Sequence, residues 1–147
     1  MRDIFVVKSG ATTGNVAYVD VDFEFSIWSP LALIRCEERL AHWKFVYYVL
    51  STDVFRKQIE LSWSFGTQQN IGMRVIERIL IPIPPIDEQK EIAAFLDSET
   101  IRIGNIRSGI EAQIKTLTAY RKSLIHECIT GQRRVTGVDL TRAQSHG

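Results

Sequence analysis

A chain of 147 residues has room for one ordinary domain, or for a small domain with an extension. Its 45% hydrophobic and 24% charged residues sit near globular averages, which excludes a wholly disordered chain. With 18 Lys and Arg against 17 Asp and Glu the net charge is +1, so bulk charge does not make it a nucleic-acid binder, and any grip on DNA must come from local patches or a larger assembly.

The first apolar run, Ile4-Phe5-Val6-Val7, reads as a short strand, and Lys8 ends it too early for a targeting signal. Ser9-Gly10-Ala11-Thr12-Thr13-Gly14-Asn15 reads as a loop, because Gly and Asn supply turn conformations that other residues resist. Val16-Ala17-Tyr18-Val19 resumes a strand, and Val19-Asp20-Val21-Asp22-Phe23 continues it with period-two alternation. Leu31-Ala32-Leu33-Ile34, after Pro30, is a third strand. The spacing of Leu40, Trp43, Val46, Tyr47, Leu50, Val54 and Ile59 predicts a helix from Leu40 onward. Its densest stretch, Phe45–Leu50, is far shorter than the roughly 20 residues of a membrane span, and a cytoplasmic chain without a membrane partner is expected. Ser62–Asn70 is a polar loop with two aromatics. Ile79–Pro84 is a final extended segment, at a sheet edge or outside the ladder because of its prolines.

The second half reads as one long helix. Pro84-Pro85 blocks helix upstream, and Asp87, Glu88 and Glu91 complement the helix dipole in the first turns. Ile103, Ile106, Ile110, Leu117, Tyr120 and Leu124 follow a heptad seam, with Gln113 at the skipped position. Thr130-Gly131 is a natural stop. From Asp87 to Thr130 the helix would extend about 66 Å at roughly 1.5 Å per residue, too far to bury its stripe on one small domain, so a partner helix is expected. Gly104 and Gly109 weaken it further, by about 1 kcal/mol each. Its charge is polarised: residues 87–99 carry net −4 and residues 100–134 net +5, the latter including Arg121, Lys122, Arg133 and Arg134. A solvated helix that complements its own dipole and a surface for a partner protein or DNA phosphates both fit this pattern.

No catalytic constellation or metal site emerges. Cys36 and Cys128 lie far apart without CxxC spacing, and His42, His126 and His146 are isolated. Cys128 is expected to pack on the seam as a small hydrophobe. Asp20 and Asp22 are paired in sequence but give no argument for a catalytic site. The Ser9–Asn15 loop is either a plain turn or a phosphate cradle, and it is not a Walker A loop because Lys8 precedes its glycines. Gln68, Gln69 and Asn70 in the loop Trp63–Arg74 either cap local backbone or pair with adenine in the major groove. Lys8 and Arg74 are the phosphate candidates.

Ile81-Pro82-Ile83-Pro84-Pro85-Ile86-Asp87-Glu88-Gln89, followed by Ile92-Ala93-Ala94-Phe95-Leu96-Asp97, resembles the junction between target-recognition domain and long helix in specificity subunits of type I restriction-modification systems. Ile114, Leu117, Tyr120–Ile125 and Thr130-Gly131 continue the resemblance, and Val7–Gly14 with Gly66–Ile71 extend it upstream, over most of residues 3–135. It implies an α+β chain: a partial mixed α/β DNA target-recognition domain over 1–84, a long coiled-coil-type dimerisation and spacer helix over 85–134, and a tail over 135–147. It implies a non-catalytic module that binds one half of a bipartite duplex DNA site and docks methyltransferase (modification) subunits, with the restriction subunit engaged indirectly. It places no cofactor in this chain; S-adenosylmethionine, ATP and Mg belong to the partner subunits. The implied DNA contacts are Lys8, Ser9, Thr12, Thr13, Asn15, Gln68, Gln69, Asn70 and Arg74, and the implied helix-partner interface is the seam above, which also suits a homodimer. The alternative is a coiled-coil assembly module with no DNA role.

Overall fold

Branched and aromatic side chains suit a pleated surface, and Ile4–Val7 forms the central strand β1 of the computed structural model, which describes residues 2–21, 24–62 and 70–139. β2 (Val16–Tyr18) and β3 (Leu31–Ile34) flank it in the order β2-β1-β3, both antiparallel, with Ile4 opposite Tyr18 and Val7 opposite Leu31. Ile4, Phe5 and Val6 are all buried, which explains a continuous apolar run where a half-exposed strand would alternate. Arg35 donates to both carboxylate oxygens of Asp3, tying the end of β3 to the start of β1. The period-two stretch after Tyr18 does not extend the sheet. Val19 N–H makes one more bond, to the Asp3 carbonyl, and then no β1 residue lies opposite. Asp22 and Phe23 lie outside the described residues.

The single helix expected from Leu40 is two: α1 (Trp43–Leu50) and α2 (Asp53–Glu60). Ser51 and Thr52 make the break. Ser51 Oγ donates to the Tyr47 carbonyl, Thr52 Oγ1 donates to the Val49 carbonyl and also accepts from Phe55 N–H, so Thr52 stops α1 and caps α2. The redirected second helix buries Phe55 and Ile59 and leaves Val54 67% exposed. A one-turn helix, α3 (Met73–Ile76), takes up the end of the stretch expected to be a polar loop. Ile79–Pro84 is irregular, not a strand. The Gln58 side-chain amide stands in for a neighbouring strand, donating to the Leu80 carbonyl and accepting from Leu80 N–H.

α4 (Ile86–Ile129) is the expected long helix, of 44 residues. It ends as the sequence predicts: Gly131 takes φ 76°, a left-handed conformation that glycine adopts without strain. The chain divides into two compact units, Met1–Asp97 and Ser98–Gly147. In the first, the core gathers Ile4, Val6, Phe45, Leu50, Phe55 and Ile71, with Ala93 of α4 among them. In the second, the helix is solvated and carries intrahelical pairs, Arg102 with Glu99 and Arg107 with Glu111. No helix among the described residues is long and apolar enough to cross a membrane.

Candidate nucleic-acid interface

Beyond Val7 the β1 backbone continues into Lys8, and both of its polar backbone groups tie down other loops. Lys8 N–H donates to the Pro30 carbonyl at 2.6 Å, and the Lys8 carbonyl accepts from Ile71 N–H at 2.7 Å. Ser9 then forms an isolated antiparallel bridge with Asn70. On the other side, Val7 N–H donates to the Asn15 carbonyl and Gly14 N–H to the Val7 carbonyl. The two loops singled out from the sequence, 61 residues apart at Ser9 and Asn70, therefore meet at one end of the sheet.

Within this end the residues differ in availability. Lys8 and Ser9 are half-buried, and Thr12, Asn15 and Asn70 are exposed. Thr13 is buried; its hydroxyl donates to the Gly10 carbonyl at 2.7 Å, and its N–H bonds the same oxygen, closing the turn. Gly10 (φ 106°) and Gly14 (φ 88°) supply the two left-handed positions this turn requires. Arg74 is exposed on α3, and lines a separate groove with Gln58, Ser62 and Arg78. Gln68 and Gln69 lie outside the described residues. Sequence reasoning missed Arg56. Its guanidinium donates to the Asn15 side-chain oxygen at 3.1 Å, and only the fold brings these residues together.

The Pro84–Gln89 junction is built on a buried amide. Gln89 is fully buried; its oxygen accepts from His42 N–H at 2.8 Å, and its NH2 donates to the carbonyls of Leu40 (3.0 Å) and Pro84 (2.8 Å). Two turns later Asp97 accepts from Lys44 and from the Tyr48 hydroxyl. Burial opposes ionisation of Asp97, but these two bonds and the Lys44 charge outweigh it and hold its carboxyl below the usual range. His42 caps no metal-like cluster. Burial first, then the Lys90 and Lys44 charges, push its imidazole below its ordinary value, and Nδ1 is buried without a partner. Among the described residues no group of three or more His, Cys, Asp or Glu is arranged to hold a metal ion.

Along α4 in the second unit the seam is open to solvent: Ile103 58%, Ile106 51%, Ile110 51%, Leu117 65% and Tyr120 60% exposed, with Leu124 half-buried. Cys128 is a half-buried free thiol near the end of the helix.

The family model described as Type I restriction modification DNA specificity domain matches residues 2–116. The specificity subunit of the type I restriction enzyme EcoBI, from Escherichia coli, is 26% identical over 122 residues, covering 78% of this chain and 25% of that subunit. The specificity subunit of EcoKI, from Escherichia coli strain K12, is 25% identical over 134 residues, covering 89% of this chain and 29% of that subunit. The chain thus spans between a quarter and a third of the length of these relatives. No solved structure matches the chain significantly. With the family match running from β1 into α4, the chain belongs to the type I restriction modification DNA specificity domain family.

Proposed function

We propose that this chain is a non-catalytic DNA-specificity module, which reads one half of a bipartite duplex site with the loops around Lys8 and docks modification subunits along α4. The organisation is a recognition part over 1–84, a spacer and dimerisation helix over 85–134 and a tail over 135–147. The observation that carries the reading is the convergence of the Ser9–Asn15 turn and the Asn70 loop at Lys8. Three independent stretches of chain are stitched to one strand end, and that end presents hydroxyls, amides and a lysine. Rigid scaffolds carrying loops of this kind suit groove recognition, with Lys8 and Arg74 on phosphates and Asn70, Gln68 and Gln69 facing base edges.

Titration of fluorescent duplexes with the full chain, alone and with its modification subunit, tests this. Site-selective binding is expected. Lys8→Ala and Arg74→Ala should weaken all duplexes alike and flatten the salt dependence, whereas Asn70→Ala should relax selectivity by about 1–3 kcal/mol. Equal affinity for every duplex across salt concentrations would sink the reading.

The open seam of α4 favours a second reading, a coiled-coil assembly module without its own DNA role. It prevails if Ile106 and Leu117 substitutions abolish assembly while changes at Lys8, Asn70 and Arg74 leave methylation specificity untouched.

A further inference from the structure

We propose that the groove between the Gly14–Asn15 end of the β1–β2 turn and the break between α1 and α2 binds a DNA backbone phosphate, gripped by Arg56, with Asn15 as the residue that positions the guanidinium. The inference rests on the DNA-specificity reading and adds to it a contact outside the Lys8 cluster.

The groove is open, with a volume of about 310 Å³, and Gly14, Asn15, Val16, Tyr47, Thr52 and Arg56 are among its lining residues. None of its lining residues is acidic, and Arg56 is the one charged side chain among them. Like Arg74 and Arg78, Arg56 has no salt bridge among the described residues, and the groove it lines is acid-free. An arginine left without an acid in an acid-free groove is an anion site by charge. A guanidinium carries five N–H donors in a planar fork, and Asn15 takes one of them from the side. That leaves donors for the two free oxygens of a phosphodiester, the geometry this fork matches. The two aliphatic hydroxyls on the wall are committed: those of Ser51 and Thr52 are turned onto the carbonyls of Tyr47 and Val49.

Both sides of the groove are fixed in place. A Cβ at Gly14 would stand 3.9 Å from Ile59 Cδ1, so the turn passes close beside α2, and Gly14 is left-handed at φ 88°. Arg56 follows Phe55, which is 1% exposed, so the residue before it anchors the helix in the core. The Asn15 carbonyl accepts from Val7 N–H, the residue before Lys8, which makes the groove continuous with the interface already described.

Anisotropy titrations with two fluorescein-labelled duplexes of unrelated sequence, over a range of salt concentrations, test the assignment in the full chain. Arg56→Ala is expected to weaken both duplexes by about tenfold and to reduce the slope of log affinity against log salt by about 0.9, the signature of one lost phosphate contact. Arg56→Lys keeps the charge without the fork, and should retain the slope but lose part of the affinity. Asn15→Ala should cause a smaller loss, and the double variant should match Arg56→Ala alone, because Asn15 acts through Arg56. An unchanged slope in Arg56→Ala with a lowered melting temperature overturns the proposal and leaves Arg56 as a brace between turn and helix. A loss confined to one duplex overturns it in favour of base reading. Wild-type binding that Lys8→Ala weakens and Arg56→Ala does not touch sinks this inference alone, whereas no duplex binding by the wild type sinks the DNA reading together with it.

Discussion

Gln89 joins three stretches of chain through one side chain. A primary amide offers one carbonyl and two N–H groups, and here each has a protein partner: His42 N–H, the Leu40 carbonyl and the Pro84 carbonyl. Gln89 itself is fully buried, and its three bonds are part-buried. Gln89→Leu keeps most of the volume and orphans all three backbone groups. A buried group left unpaired costs about 1–3 kcal/mol, and because these three bonds are only part-buried the variant is expected to lose about 1–3 kcal/mol of unfolding free energy in urea titrations of the full chain. A loss below about 1 kcal/mol would mean that solvent reaches these groups. In the sequence, the Pro84–Gln89 stretch shows why a helix starts there, since proline and acidic-turn signals are local. It does not show what Gln89 does, because its farthest partner, Leu40, lies 49 residues away. The Arg56–Asn15 bond was hidden for the same reason, across 41 residues.

At the scale of elements, what was legible followed from local periodicity. β1, β3 and α4 stand where the apolar patterns put them. The break between α1 and α2 also had a local signal, Ser51-Thr52-Asp53, a capping residue followed by an acid, but the continuing apolar spacing from Leu50 to Ile59 masked it. The Ile79–Pro84 segment was expected at a sheet edge or outside the ladder and lies outside it; what the sequence did not show is that the Gln58 side chain pairs with both backbone groups of Leu80, 22 residues away. The long helix carries its own cost in Gly104 and Gly109. Neither glycine has a positive φ, and a Cβ at either meets nothing within 4 Å. Gly104→Ala and Gly109→Ala should therefore each stabilise α4 by about 1 kcal/mol, read as a higher midpoint for loss of helical circular dichroism. No change, or a lower midpoint, would show that a neighbouring chain packs closely against that glycine in solution.

For the whole molecule the open question is what covers the α4 seam. An apolar stripe with Ile103, Ile106, Ile110, Leu117 and Tyr120 each at least half exposed is costly to leave in water. A second copy of the chain can bury it, and the charge pattern selects how. A parallel pair sets the two acidic 87–99 stretches side by side, whereas an antiparallel pair separates them and lays each along residues 124–136 of the other copy, which carry Arg133 and Arg134 against Glu127. Heptad positions then oppose Ile103 to Tyr120 and Ile106 to Leu117 of the other copy. Sedimentation is expected to show concentration-dependent dimers, which Leu117→Asp dissociates. Direction can be read separately in a Cys36→Ala, Cys128→Ser background. Chains carrying Ile103→Cys, mixed with chains carrying Tyr120→Cys, should cross-link to each other on mild oxidation and not to themselves. Ile103→Cys chains that cross-link among themselves would reverse the assigned direction. A monomer at every concentration would leave the seam to the modification subunits, and addition of those subunits should then protect the α4 amides from hydrogen exchange.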